Sequence, residues 1–434
     1  MGQSKSLVLL AGAALSLSAG AAFAQNSDEF RSIVAEAMAD AETRTSLLAA
    51  GDAGHDGRFF ISGDGYRLNI YGLLQTRYVF NFRDDDPANT FYDNDETEQG
   101  FQIRRAKIGF SGDLNRDWFF NIRTSWDTVE NDSGARIDYA FGGYKFANGV
   151  RATVGQFKLP LLREELVADS KQLAADRSIT NNAFTQGYSQ GIAFDYEAEA
   201  WRVSGAFSDG LNSANTDIIN NENYSSAGSF GNAGEAEYAF TGRFEYMFAG
   251  NWRMFEDFTS EKGQDFGFLM GAAGHYQQST NSPALTDFDR QTFQFTVDAS
   301  LEGDSWNIFA AYIGRWSEFR NAGNDTDFYD SGVVAQGGWR FAQNTELFGR
   351  YDVIIADEDR FSGGDDTFNF LTFGLNHYWA GHAAKGTLDV VWALDSGSNL
   401  SGAGITPLPD TGVGLLGDVE EGEFTIRAQF QLMF

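Results

Sequence analysis

From about residue 66 to the C-terminus, apolar and polar residues alternate with a period of two. That spacing sends successive side chains to opposite faces of a strand. The last stretch is the clearest. Phe424, Ile426, Ala428, Phe430, Leu432 and Phe434 share one face, and Thr425, Arg427, Gln429, Gln431 and Met433 the other. Leu68, Ile70, Leu74, Tyr78 and Phe80 likewise oppose Arg67, Asn69, Gln75 and Arg77. The pattern predicts sixteen strands: 66–81, 100–111, 116–127, 134–147, 149–157, 190–197, 200–208, 237–248, 265–278, 288–301, 305–318, 330–341, 345–355, 366–379, 384–394 and 422–434. An even number of strands, each roughly 9–14 residues with aromatics near the ends, suits an all-β, sixteen-stranded antiparallel transmembrane β-barrel. In such a barrel the apolar face meets lipid and the polar face lines water. Closure leaves no unpaired backbone edge in the bilayer. Short and long connections also alternate, as periplasmic turns and outer loops do. A secreted β-sandwich or solenoid is the competing architecture, but it would not hold so many aromatics at strand ends.

The N-terminus follows another rule. Lys5, the apolar run Leu7 to Leu17 and Ala22-Phe23-Ala24 read as a secretory signal over residues 1–24. Export from a bacterial cell follows. Over 28–50, Phe30, Ile33, Val34, Ala37, Met38 and Ala41 recur at helical spacing until Gly51. This predicts a short amphipathic periplasmic helix, which packs on the body, frays in solvent or self-associates as a short coiled coil. The domain layout is therefore 1–24 signal peptide, 25–57 helix and linker, and 58–434 barrel.

Composition narrows the chemistry. The chain has 434 residues with no cysteine, 5 prolines, 49 glycines and 40 phenylalanines. Without cysteine there are no disulfides, thiolate metal sites or thiol nucleophiles. The net charge of −30 makes nucleic acid an unfavourable partner. Only four histidines occur, and His377 and His382 are neither at helical spacing nor separated by a glutamate. No P-loop or Gly-x-Ser-x-Gly elbow is present. The sequence therefore predicts no enzyme, no cofactor and no metal centre. The acidic runs Asp84-Asp85-Asp86 and Asp93 to Glu98 read as solvated loop faces, or as carboxylates bridged by calcium, though none has EF-hand spacing.

Several stretches resemble the phosphate-selective porin O and P family. They are Phe60-Ile61-Ser62-Gly63-Asp64-Gly65 and Ile103-Arg104-Arg105-Ala106-Lys107-Ile108-Gly109-Phe110-Ser111-Gly112. To these add Gly155-Gln156-Phe157-Lys158-Leu159-Pro160 with Glu164 and Ser170, and Phe373-Gly374-Leu375-Asn376-His377-Tyr378. The resemblance implies a trimeric outer-membrane channel in which the segment after the fifth strand folds inward as a constriction loop. By position that segment runs from Lys158 to Arg177. It also implies that the arginine pair and the loop lysines hold phosphate, with guanidinium forks matching its oxygens.

Charge parity supports the barrel more than it supports selectivity. Nearly every strand arginine and lysine falls on the polar parity, because a lipid-facing cation costs about 2–4 kcal/mol at the midplane. Anion preference needs cations clustered at a constriction. Arg104, Arg105 and Lys107, with Lys158, Arg163, Lys171 and Arg177, are the candidates. Lumen carboxylates including Asp127, Asp138, Asp195 and Glu245, and the loop acids Glu164, Glu165, Asp169 and Asp176, offset part of that field. The expected function is passive passage of small hydrophilic solutes, with small anions such as phosphate preferred. The expected partners are the outer-membrane bilayer and two further copies in a homotrimer. A weakly selective general-diffusion porin, a non-conducting adhesin barrel and an outer-membrane enzyme are the alternatives.

Overall fold

A computed structural model describes residues 52–83, 97–127, 134–218, 235–280, 288–321, 325–361, 365–395, 413–415 and 421–434. The signal segment, the helix over 28–50, Asp84–Asp86 and most of the acidic run after Asp93 lie outside them. Asp52–His55 and Phe59–Gly63 are short strands near the start, where Ser62 Oγ donates to the Asp52 carbonyl at 3.3 Å.

Sixteen strands then form a closed antiparallel barrel. They are β1 (Tyr66–Phe82), β2 (Thr97–Leu114), β3 (Trp118–Trp126), β4 (Arg136–Lys145), β5 (Arg151–Phe157), β6 (Ser189–Glu197), β7 (Trp201–Ser208) and β8 (Glu235–Ala249). The second half comprises β9 (Gly267–Thr280), β10 (Phe288–Gly303), β11 (Trp306–Asn321), β12 (Thr326–Ala342), β13 (Thr345–Ile355), β14 (Thr367–Tyr378), β15 (Ala384–Ala393) and β16 (Phe424–Met433). Each strand pairs with its sequence neighbours. β16 closes on β1 in register from Phe424↔Phe82 to Met433↔Leu73. All sixteen expected strands are present, most with their ends shifted by one to four residues.

The alternation sorts side chains as expected. On β8, Phe240, Phe244 and Tyr246 are exposed while Thr241, Arg243 and Glu245 are buried. Outward aromatics gather at strand ends, where Trp118 meets Tyr144 at 4.9 Å and Phe248 stacks on Phe268 at 4.8 Å. Such rings sit well at a lipid–water boundary.

Among the register irregularities of the described strands, two bulges shape the lumen. Between β1 and β2, Gln75 pairs with Arg105 and Thr76 with Ile103, so Arg104 is the extra residue. Adjacent arginines therefore both turn inward while Phe101, Ile103 and Ile108 stay on the lipid face. Between β3 and β4, Arg123 pairs with Tyr139 and Thr124 with Ile137. There Asp138 is the extra residue, and its carboxylate meets Arg123 and Ser125.

The lumen is not uniformly polar. Residues 158–188, after β5, fold inward and carry α1 (Arg163–Leu166) and α2 (Ile179–Phe184). Gly155 allows the departure, since at φ +128° an added Cβ would lie 2.2 Å from the Ala140 carbonyl oxygen. A second insert enters from the other end: residues 250–266, joining β8 to β9. Its Phe258 packs on Phe309 at 4.8 Å, and its backbone reaches the first loop through Phe258 N to Lys171 O at 3.3 Å. The two inserts cover Phe309, Val334 and Phe348 with Val167, Leu173 and Phe258. Nearer the outer mouth, Leu161, Ile179 and Phe184 pack with Ile313, Ile354, Phe368 and Phe370. The expectation that the inward face simply lines water is corrected here. On β9–β16 part of that face packs against apolar side chains of the inserts, between buried polar residues such as Gln294, Arg315 and Asp352.

Candidate functional site

Among the described residues, two cavities lie on the β2–β8 side. The outer one, about 350 Å³, is lined by Arg104, Arg105, Lys107 and Arg136 of the wall and by Glu165, Asp169, Arg177 and Tyr188 of the loop. The inner one, about 540 Å³, is lined by Tyr139, Phe141, Arg151, Lys158, Arg202 and Glu245 among others.

Asp176 anchors the loop to the wall. Its carboxylate takes Arg77 at 2.5 Å, Arg105 at 2.8 Å and Arg104 at 3.0 Å, with Arg427 at 3.9 Å. Burial alone would raise its pKa, but Arg104, Arg105, Arg77 and Arg427 hold the carboxyl well below the usual range. Asp169 is a second anchor, accepting from Lys107 at 2.6 Å and Arg177 at 2.6 Å. Lys107 also reaches Asp138 at 2.9 Å.

Between the cavities stands a thin septum. Lys158 Nζ pairs with the Glu165 carboxylate, donates to its carbonyl at 2.7 Å, and lies 5.1 Å from the Tyr188 ring. Arg123 reaches the Tyr188 hydroxyl at 2.5 Å and sits 4.3 Å over Tyr139, which meets Tyr188 edge-on at 5.2 Å. Burial pushes the Lys158 ammonium down to about 8, Arg177 adding to the shift and Glu165 opposing it. Burial would raise Glu165, yet Arg177 and Lys158 hold it at about 2.

Five of the seven candidate cations thus gather around the cavities: Arg104, Arg105, Lys107, Lys158 and Arg177. Two do not. Arg163 is buried under the loop, donating to Ser300 Oγ at 2.9 Å and the Phe255 carbonyl at 2.7 Å. Lys171 points to Glu256 of the second insert at 2.8 Å. Arg123 and Arg151 were legible only as polar-parity strand cations, and Tyr139 and Tyr188 carried no signal of their own. Position next to Asp138 hid Tyr139, because only the bulge brings both inward.

Comparison with known proteins fits this geometry. Residues 77–399 match the family described as phosphate-selective porin O and P. The chain belongs to that family. Such porins occupy the bacterial outer membrane as channels, and the barrel described above is their architecture. No curated protein matches the sequence. Among solved structures, the anion-selective porin of Comamonas acidovorans is 13% identical with a TM-score of 0.55, covering 85% of this chain and 100% of its own. OmpT of Vibrio cholerae is 11% identical at 0.53, covering 86% and 100%. The outer-membrane channel DcaP of Acinetobacter baumannii is 11% identical at 0.53, covering 88% and 100%. At these identities the likeness extends to the fold of this porin and no further.

Proposed function

We propose that this outer-membrane channel passes small hydrophilic solutes through the two cavities and prefers anions, phosphate among them. One observation carries the preference. Around the outer cavity the carboxylates Asp127, Asp138, Glu165 and Asp169 are all buried, while Arg104 and Arg136 extend further into the open space. An entering ion meets guanidinium edges before it meets carboxylates. In a chain of net charge −30, that inversion of sign is local. Passage then requires the septum to exchange its internal partners for the solute, with arginine and lysine donors replacing lost hydration.

The pairing of most lumen cations with carboxylates favours a second reading, weakly selective diffusion. Single-channel recording of the refolded protein under a potassium chloride gradient, then with phosphate, separates them. An anion-selective reversal potential with phosphate block supports the proposal; indifference to phosphate leaves general diffusion. Substituting Arg105→Gln and Lys158→Gln together lowers anion preference if the two cations act at the constriction.

Assembly as a homotrimer belongs to the same proposal. β5 has 7 residues and β7 has 8. At a tilt near 40° these rise only about 18–21 Å, short of the ~25 Å apolar band. A neighbouring copy against this side would shield the exposed backbone ends. Cross-linking in mild detergent is expected to yield trimers, and a monomer at every protein concentration would remove this part.

A further inference from the structure

The lining of the inner cavity is mixed. Tyr139, Phe141, Phe157 and Leu166 are its apolar part, and Tyr139 and Phe141 pack onto a buried apolar cluster. Their rings meet edge-on at 5.7 Å. Besides Lys158, held by Glu165, the cationic part is Arg151, Arg202 and Arg243. Two of these are engaged: Arg243 with Asp298 at 2.8 Å, and Arg202 with Glu245. Arg151 differs. It is exposed, lies 4.6 Å over the Phe119 ring, and makes no ion pair among the described residues. The ring contact engages the guanidinium face and leaves its N–H donors available.

An inorganic oxyanion has no use for an aromatic wall, and about 540 Å³ falls in the range that holds small organic molecules. With Glu245 engaged by Arg202 and Arg243, two further carboxylates set the charge of the occupant. Asp195 is the register partner of Arg151 on β6, and Glu197 lines the same space. Either would disfavour a second negative charge on the ligand. We propose that the inner cavity is a binding station for small amphipathic monoanions, planar aromatic monocarboxylates above all. The carboxylate meets Arg151, and the ring lies against Tyr139, Phe141, Phe157 and Leu166. The inference rests on the channel reading only in taking this cavity as part of the route.

Binding and conduction are therefore read separately on the full-length protein. Isothermal titration in detergent with benzoate and with acetate compares one charge with and without a ring. Benzoate is expected to bind at least about tenfold more tightly, the difference one favourable ring contact makes. Arg151→Gln is expected to weaken benzoate about tenfold or more, and Phe141→Leu to narrow the gap between benzoate and acetate. Equal affinities for the two anions, or benzoate binding unchanged by Arg151→Gln, overturn the assignment. Conductance in potassium chloride is recorded on the same preparation. A conducting barrel that fails to bind benzoate sinks the station and keeps the channel. Benzoate bound to a barrel that never conducts keeps the station and sinks the channel.

Discussion

On β9–β15 the lumen-facing positions include Leu269, Phe309, Ile313, Val334, Phe348, Phe368, Phe370 and Val391, all buried. On β2–β7 they include Arg105, Lys107, Arg123, Asp138, Arg151 and Arg202, and cavities remain between them. Both halves obey one alternation, and both keep charge away from lipid. What separates them is the material opposite. Residues 158–188 and 250–266 bring apolar side chains against β9–β15, beside buried charges such as Arg315, Arg350 and Lys385, and there apolar burial stabilises by about 25 cal/mol per Å². Against β2–β7 the loop presents Lys158, Glu165, Asp169, Asp176 and Arg177. An inward position is thus core or channel according to its partner, and strand periodicity alone carries no information about that partner.

The sharpest way to break this division is at Asp176. Replacing it with alanine leaves the buried Arg77, Arg105 and Arg427, and the partly exposed Arg104, without their shared carboxylate, a loss of about 3–5 kcal/mol. The loop should leave the wall, with a lower denaturation midpoint and a larger single-channel conductance. Conductance at the wild-type level would mean that Asp176 does not hold the constriction. In the filled half, Phe309→Ala opens a void beside Phe258 and should cost about 3 kcal/mol. Because the two cavities lie on the other side, reversal potential and conductance should stay put. A conductance increase would show that the core lies on the ion path.

A smaller effect is expected from pH. The Lys158 ammonium loses its proton near 8, so anion preference is full below that value and declines as pH rises through it. Recordings between pH 6 and 10 should show the step, and Lys158→Gln should abolish it. The smallest change belongs to Arg136, half-exposed and paired with Asp127. Surface pairs of this kind are worth about 1 kcal/mol or less. Arg136→Gln should shift the reversal potential slightly, and less so at high salt. A shift as large as that of Lys158→Gln would move the selective step to the outer cavity.

Much of this molecule was readable in advance. Sixteen strands and their sidedness follow from alternation and turn residues, and the inward path of Lys158–Arg177 from the resemblance to the porin family. Three features did not. Arg104 reaches the lumen through a single-residue bulge, invisible to a parity count. Tyr188 and Tyr139 form the septum only because segments distant in sequence converge. The insert over 250–266 filled the filled half unannounced, although Trp252, Phe255 and Phe258 in a connector between strands were a usable sign, since a solvated turn has no need of them. Arg163 and Lys171 show the converse limit, for their charge was legible and their destination was not.

The loop's anchors have a consequence for how the protein matures. Gln75 reaches Asp169 across 94 residues of chain, Lys385 reaches Gln172 across 213, and Gln431 reaches Ser170 across 261. The last of these partners comes from β16, the strand that seals the wall. The loop therefore cannot find its full set of bonds on a partly assembled sheet, and its docking must coincide with closure or follow it. Non-local contacts of this span form slowly. A barrel stalled before β16 would carry a charged segment with nowhere to settle, so seating of the loop reports that the wall is complete.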